Sequence, residues 1–154
     1  HDDVIQMIHQ GYDVNDTAEY DLTPLMLAST NNADSQIIKT LLKNGAVVNA
    51  QSTAGWTPLM FASAHNTNSG IIIELLDNGA RINDQDVEGL TPLMIASAYN
   101  RAEIVSVLLN NGAKIQIKDK AGKTALDYAK GNPHLFNTKM YRQMEYLLHE
   151  YKDK

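Results

Sequence analysis

Thr57-Pro58-Leu59-Met60 is the middle of three identical tetrapeptides, preceded by Thr23-Pro24-Leu25-Met26 and followed by Thr91-Pro92-Leu93-Met94. A divergent fourth copy reads Thr124-Ala125-Leu126-Asp127, so the steps are 34, 34 and 33 residues. Small residues follow each copy, as in Leu27-Ala28-Ser29 and Ile95-Ala96-Ser97. Apolar runs come next, Ile37 to Leu42, Ile71 to Leu76 and Ile104 to Leu109. Each closes on Asn-Gly-Ala, at Asn44-Gly45-Ala46, Asn78-Gly79-Ala80 and Asn111-Gly112-Ala113. Self-similarity at a fixed period of this size predicts a stack of like supersecondary units rather than one closed core.

The physics of one unit gives its shape. Thr is a good N-cap and Pro is favoured in the first helical position, so each Thr-Pro starts a helix. The small Ala and Ser residues let a second helix approach closely. That second helix carries Ile37, Ile38, Leu41 and Leu42 at helical spacing, a stripe to be buried. Gly45, Gly79 and Gly112 can take the left-handed conformation that ends it. A single unit cannot bury its own face, so neighbours must stack.

These residues resemble the ankyrin repeat, whose unit reads roughly G-x-T-P-L-H-x-A-A, a spacer, then I-V-x-x-L-L-x-x-G-A-x-x-N. The resemblance covers nearly the whole chain and implies an all-α solenoid of stacked helix-turn-helix units with projecting hairpin-like fingers. Met26, Met60 and Met94 stand where the family usually has His, and Asp21 where the other copies have Gly55, Gly89 and Gly122. The expected division is a single domain over 1–154, with a partial unit at 1–15, full units at 16–49, 50–83 and 84–116, and a capping unit at 117–154. Val4 to Asn15 aligns with a second helix and tail only. This suggests a longer native protein or a trimmed start, and an N-terminal end that opens first. The final helix, about Lys139 to Tyr151, should turn Met140, Met144, Leu147 and Leu148 inward and Lys139, Arg142, Glu145 and Glu150 outward, as an end cap requires.

Composition agrees with a folded domain: 154 residues, 44% hydrophobic and 20% charged. There is no cysteine, which removes disulfides, thiol catalysis and Cys-based zinc sites. That absence suits the cytosol or an exported protein alike, with the cytosol favoured. No apolar stretch approaches the length of a membrane span. The net charge of −5 hides a gradient. Residues 1–50 hold seven acidic and two basic side chains, and residues 111–154 hold five and nine. Solvated surface explains this; so would a dipolar molecule that orients a charged partner. Overall acidity argues against nucleic acid as the main ligand.

Motifs of chemistry dissolve into the repeat. Gly122-Lys123-Thr124 lacks the earlier Gly of a phosphate loop, since Ile117 stands there, and reads as a turn and a helix cap. Asp84-Gln85-Asp86-Val87-Glu88-Gly89 begins like a calcium loop, but Ile95 occupies the place of the bidentate Glu. Asn15-Asp16-Thr17 is a glycosylation sequon, relevant only to a eukaryotic secretory pathway. His1, His9, His65, His134 and His149 show no ligand spacing. Ser29, Ser63 and Ser97 recur at one repeat position and read as packing residues, and the three methionines read as an apolar ladder. Neither cofactor nor metal nor enzymatic activity is expected.

What remains is surface. In the family, partners meet the finger tips and the exposed side of the short first helix. Carried over by position, that surface contains Tyr20, Leu22, Trp56, His65, Val87, Leu90, Tyr99, Lys120 and Lys123. Trp56, flanked by Tyr20, Leu90 and Tyr99, is the expected centre, because Trp and Tyr are favoured interface anchors. The resemblance thus implies a monomeric, non-catalytic scaffold that binds another protein through finger tips and a concave helix face, with no nucleic acid or membrane ligand. The alternative is a regulatory or targeting segment of a larger polypeptide.

Overall fold

The computed structural model describes residues 6, 9–30 and 35–152. Val4, Ile5, Met7 and Ile8, on which the partial first unit rests, lie outside them, as do the junction residues 31–34. Each repeat gives two helices. The first helices are α1 (Pro24–Thr30), α3 (Pro58–His65), α5 (Pro92–Tyr99) and α7 (Ala125–Ala129); the second helices are α2 (Ser35–Lys43), α4 (Ser69–Asp77), α6 (Ala102–Asn110) and α8 (Lys139–Lys152). First helices pack side by side in the order α1, α3, α5, α7, and second helices in the order α2, α4, α6, α8. The result is a two-layer stack in which each unit touches its neighbours.

The helix starts follow the capping chemistry of Thr-Pro, with one addition. The Thr23, Thr57 and Thr91 hydroxyls accept from the Met26, Met60 and Met94 N–H groups at 3.2, 3.3 and 3.3 Å. The thioethers reach back to the cap N–H groups at 3.4, 3.5 and 3.5 Å. The methionines are therefore buried, as an apolar ladder requires, and each also supplies the weak sulfur acceptor that closes a capping box. In α7 a carboxylate does this more strongly: Asp127 accepts from the Thr124 N–H at 3.0 Å and from its hydroxyl at 2.8 Å.

Between the layers run rows of identical side chains. Leu25, Leu59 and Leu93 are buried, as are Ile38, Ile72 and Val105 and then Leu41, Leu75 and Leu108. Ser29, Ser63 and Ser97 are fully buried at the helix interface, which makes them packing residues. Ser29 donates to the Leu25 carbonyl at 2.7 Å, while the Ser63 and Ser97 hydroxyls have no partner. In α8, Tyr141 and Met144 are buried, Met140, Leu147 and Leu148 half-buried, and Lys139, Arg142, Glu145 and Glu150 exposed, the division its amphipathic pattern dictates.

Two asparagine series stitch unit to unit. Asn66, Asn100 and Asn132 are buried at the ends of first helices. Asn100 Nδ2 donates to the carbonyls of Ser63 and Asn66 at 3.0 and 2.9 Å, and Asn132 Nδ2 to those of Ser97 and Asn100 at 3.0 and 2.7 Å. Asn66 Nδ2 reaches the Ser29 carbonyl at 3.3 Å. Nearer the fingers, the Oδ1 atoms of Asn15, Asn49 and Asn83 accept from Val47, Arg81 and Lys114 N–H groups at 2.8 to 2.9 Å. Their amides donate to the carbonyls of Gly45, Gly79 and Gly112. Both ends of the Asn15 side chain are thus engaged, so a glycan on that sequon would break the series.

Candidate protein-binding surface

Each finger is a tight turn closed by one backbone bond. The closing pairs are Ala18 N–H to Leu22 O at 2.9 Å, and Ser52 to Trp56, Asp86 to Leu90 and Asp119 to Lys123 at 3.0 Å. The only bridge among the described residues is Ala18 with Leu22, so the fingers are hairpin-like without being regular strands. The side chain that opens each turn supports it from within. Ser52 Oγ accepts from the Trp56 N–H; Asp86 Oδ1 accepts from Glu88 and Leu90; Asp119 Oδ1 accepts from Lys123. Ala18 offers no such acceptor. In that finger Tyr20 and Asp21 both take positive φ, 63° and 57°, where the other three fingers place a glycine in the left-handed region.

The second and third fingers meet through Trp56. Its indole N–H donates to Asp86 Oδ2 at 2.9 Å, and its ring lies edge-on to Phe61 with centroids 5.2 Å apart. Trp56 and Leu90 both pack on a small buried group of Met60, Ala64 and Ile95. The structure therefore joins Trp56 and Leu90, as their shared repeat position implies, but it half-buries both. Trp56 is built into the stack by a hydrogen bond to a carboxylate one unit away. Its truncation is consequently expected to cost stability, which separates it from the exposed interface anchor that its position suggests. Leu22 is half-buried as well.

The exposed members of the surface are different ones. Tyr20 is 68% exposed, Val87 49% and Tyr99 70%. His65, Lys120 and Lys123 are also exposed. Leu27 is 45% exposed on α1 at the position of Phe61 and Ile95. Sequence reasoning passed over Leu27, although its place directly after the tetrapeptide marks it.

The last finger has a carboxylate contact of its own. Tyr128 O–H donates to Asp119 Oδ2, and Lys123 Nζ lies 5.7 Å from the centre of the Tyr128 ring. The bond to Asp119 pushes the Tyr128 phenol up to about 12, with burial and the nearby Asp119, Tyr99 and Asp86 charges adding to it. The same hydroxyl holds the Asp119 carboxyl below its usual range against the opposing effect of burial. Among the described residues no three His, Asp or Glu side chains gather as a metal site would need. Asp86, the candidate of the calcium-like stretch, has its oxygens occupied by N–H donors. No helix among the described residues is long and apolar enough to cross a membrane.

Paired helices stacked at this period, with capped Thr-Pro starts and projecting turns, are what family models detect from sequence. Residues 1–86 match a model for ankyrin repeats (3 copies), and residues 75–129 one for ankyrin repeats (many copies). The chain belongs to the ankyrin repeat family. Ankyrin repeats are generally protein–protein interaction modules and typically non-enzymatic. No curated protein matches the sequence. Within the ankyrin stack, the fourth unit differs in its electrostatics. The Thr124 backbone N–H, with the Thr124 hydroxyl and Lys130, holds the Asp127 carboxyl down at about 2 from a usual 3.8. A depressed folded value means stability present above 3.8 and lost as pH falls towards about 2. Asp127→Asn is expected to flatten that acid limb of the stability curve. Denaturant midpoints measured for both proteins between neutral pH and the acid transition provide the check; parallel curves would place the acid sensitivity elsewhere.

Proposed function

We propose that this ankyrin chain is a non-catalytic module that binds another protein through its finger tips and the exposed side of its first helices. The observation that carries this reading is Tyr99, a large side chain left 70% exposed at the end of α5. Tyr20 and Val87 support it from the fingers, at 68% and 49%. Aromatic side chains held on a rigid scaffold give much contact area at little entropic cost. Trp56 serves here as backing: it fixes the second finger to the third and keeps the surface in register. Leu90 does the same from the third finger, Leu22 closes the first finger through its bridge to Ala18, and His65, Lys120 and Lys123 contribute polar contacts at the rim. On this reading the chain acts as a monomer, and neither nucleic acid nor membrane is its ligand, in keeping with its net charge of −5.

The test uses Tyr99 rather than Trp56. Proteins retained by the immobilised chain are purified and titrated against wild type, Tyr99→Ala and Tyr20→Ala. Each variant is expected to lose about tenfold in affinity, roughly 1–2 kcal/mol, with an unchanged unfolding transition. A partner that binds both variants as it binds wild type removes this surface from consideration.

A further inference from the structure

One repeat position reads differently in each finger. Glu19, Thr53, Val87 and Lys120 are equivalent, each the first residue inside its closing pair. Along the stack they run from an acid, through a small polar and an apolar side chain, to a base. All four are exposed, Val87 by 49%. The backbone ties them in that order. Thr53 N–H donates to the Tyr20 carbonyl at 3.0 Å, Val87 N–H to that of Ala54 at 3.2 Å, and Lys120 N–H to that of Glu88 at 3.0 Å. The four positions thus form one bonded row along the side of the stack, and the row stays open whatever units flank it.

The charges beside the row share its polarity. Asp16 and Asp21 stand with Glu19 and are exposed. Residues 44–73 hold no Asp, Glu, Lys or Arg, so the second finger is neutral. In the third finger Asp86 is taken up by the Trp56 indole, while Glu88 is exposed beside Val87. Lys118 and Lys123 stand with Lys120 and are exposed. None of Asp16, Glu19, Asp21, Lys118, Lys120 and Lys123 forms a salt bridge among the described residues.

Spacing decides what kind of chain fits. Helix packing sets neighbouring units about 8–10 Å apart. An extended strand repeats a face about every 6.7 Å, so it falls out of step within the row. A polyproline II helix has roughly three residues per turn, each rising about 3.1 Å, and so repeats a face about every 9 Å. We propose that the finger row binds a polyproline II segment of a partner protein, with every third residue meeting one finger, a basic residue at Glu19 and an acidic one at Lys120. A small polar side chain faces Thr53 and an apolar one faces Val87. Tyr20, 68% exposed beside Glu19, supplies an aromatic face of the kind on which such helices pack. This rests on the protein-binding reading above and names the partner's chemistry on the finger side of that surface.

The probe is a synthetic peptide with blocked ends, Lys-Pro-Pro-Ser-Pro-Pro-Val-Pro-Pro-Glu. Its control has the same composition with Lys and Glu adjacent at the centre. The 154-residue chain is expected to bind the first about tenfold more tightly, and the difference should shrink as salt rises. A shortened peptide with one proline between contacts in place of two turns its side chains off the row and should bind no better than the control. Lys120→Glu and Glu19→Lys, both at exposed tips, should each weaken binding about tenfold with an unchanged unfolding transition. A peptide with Lys at both ends should restore binding to Lys120→Glu, a rescue that damaged folding would not give. Equal binding of peptide and control, no binding at all, or failure of the rescue overturns the proposal. Self-association of the chain in sedimentation, dissolved by Lys120→Glu, would make a second copy the occupant and overturn it too. A retained partner that needs Tyr20 and Tyr99 but ignores Glu19→Lys and Lys120→Glu overturns the polarity and leaves the protein-binding reading standing. Peptide binding with rescue, in a chain that retains no Tyr99-dependent partner, supports the row and sinks the first-helix half of that reading.

Discussion

Leu75→Ala is expected to lower stability by about 2–5 kcal/mol, the range for a fully buried leucine whose cavity cannot collapse. Leu75 is 0% exposed in α4, and it belongs to the row Leu41, Leu75 and Leu108 that joins three units. A cavity there removes contacts from both neighbours, so the loss is not confined to one repeat. Thr57→Ala is the contrast. Thr57 is also buried, at 1%, but its hydroxyl makes one bond, to the Met60 N–H at 3.3 Å. Its loss should cost about 1 kcal/mol. Chemical denaturation of the two variants ranks them. If Thr57→Ala proves the worse, the buried row is not what holds the units together.

The stack was legible because its cause is local and repeated. Thr-Pro starts, small residues, paired apolar positions and Asn-Gly-Ala ends recur, and each is interpretable alone. The second helices predicted from Ile37 to Leu42, Ile71 to Leu76 and Ile104 to Leu109 extend two residues further at the start and one at the end, to Ser35–Lys43, Ser69–Asp77 and Ala102–Asn110. Asp21 was marked by its place opposite three glycines, and its positive φ explains the mark.

The rest was hidden because its cause lies one unit away. Asn66, Asn100 and Asn132 sit at steps of 34 and 32 residues, in junctions where asparagine is commonplace, so nothing local separates a buried donor from a loop residue. Trp56 stands between Gly55 and Thr57, a turn and a cap, so its neighbours in sequence mark it as surface. Its partner, Asp86, is thirty residues on, in a stretch that resembles an incomplete calcium loop. Side chains that bridge repeats are visible only once the register of stacking is known, and this holds for the candidate surface more than for the scaffold.

Register itself supplies the second large effect. Gly55→Ala is expected to cost about 2–5 kcal/mol, because two penalties coincide there. Gly55 has φ 78°, a left-handed conformation that an L side chain adopts at roughly 1–2 kcal/mol. The added methyl would also lie 3.0 Å from Val87 N and 3.2 Å from Asp86 Cα, backbone atoms of the next finger that cannot rotate aside. Overpacking of this kind adds about 1–3 kcal/mol. Gly122→Ala separates the two penalties. Gly122 has φ 76° but nothing within 4 Å, so only the conformational cost applies. The difference between the variants measures how tightly fingers are pressed together. It should also appear structurally: displacing Val87 breaks its bond to the Ala54 carbonyl and pulls Asp86 from the Trp56 indole, so tryptophan fluorescence should shift in Gly55→Ala and not in Gly122→Ala. Equal losses in the two variants, with unchanged fluorescence in both, would show that neighbouring fingers do not hold one another and that each unit sets its own finger independently.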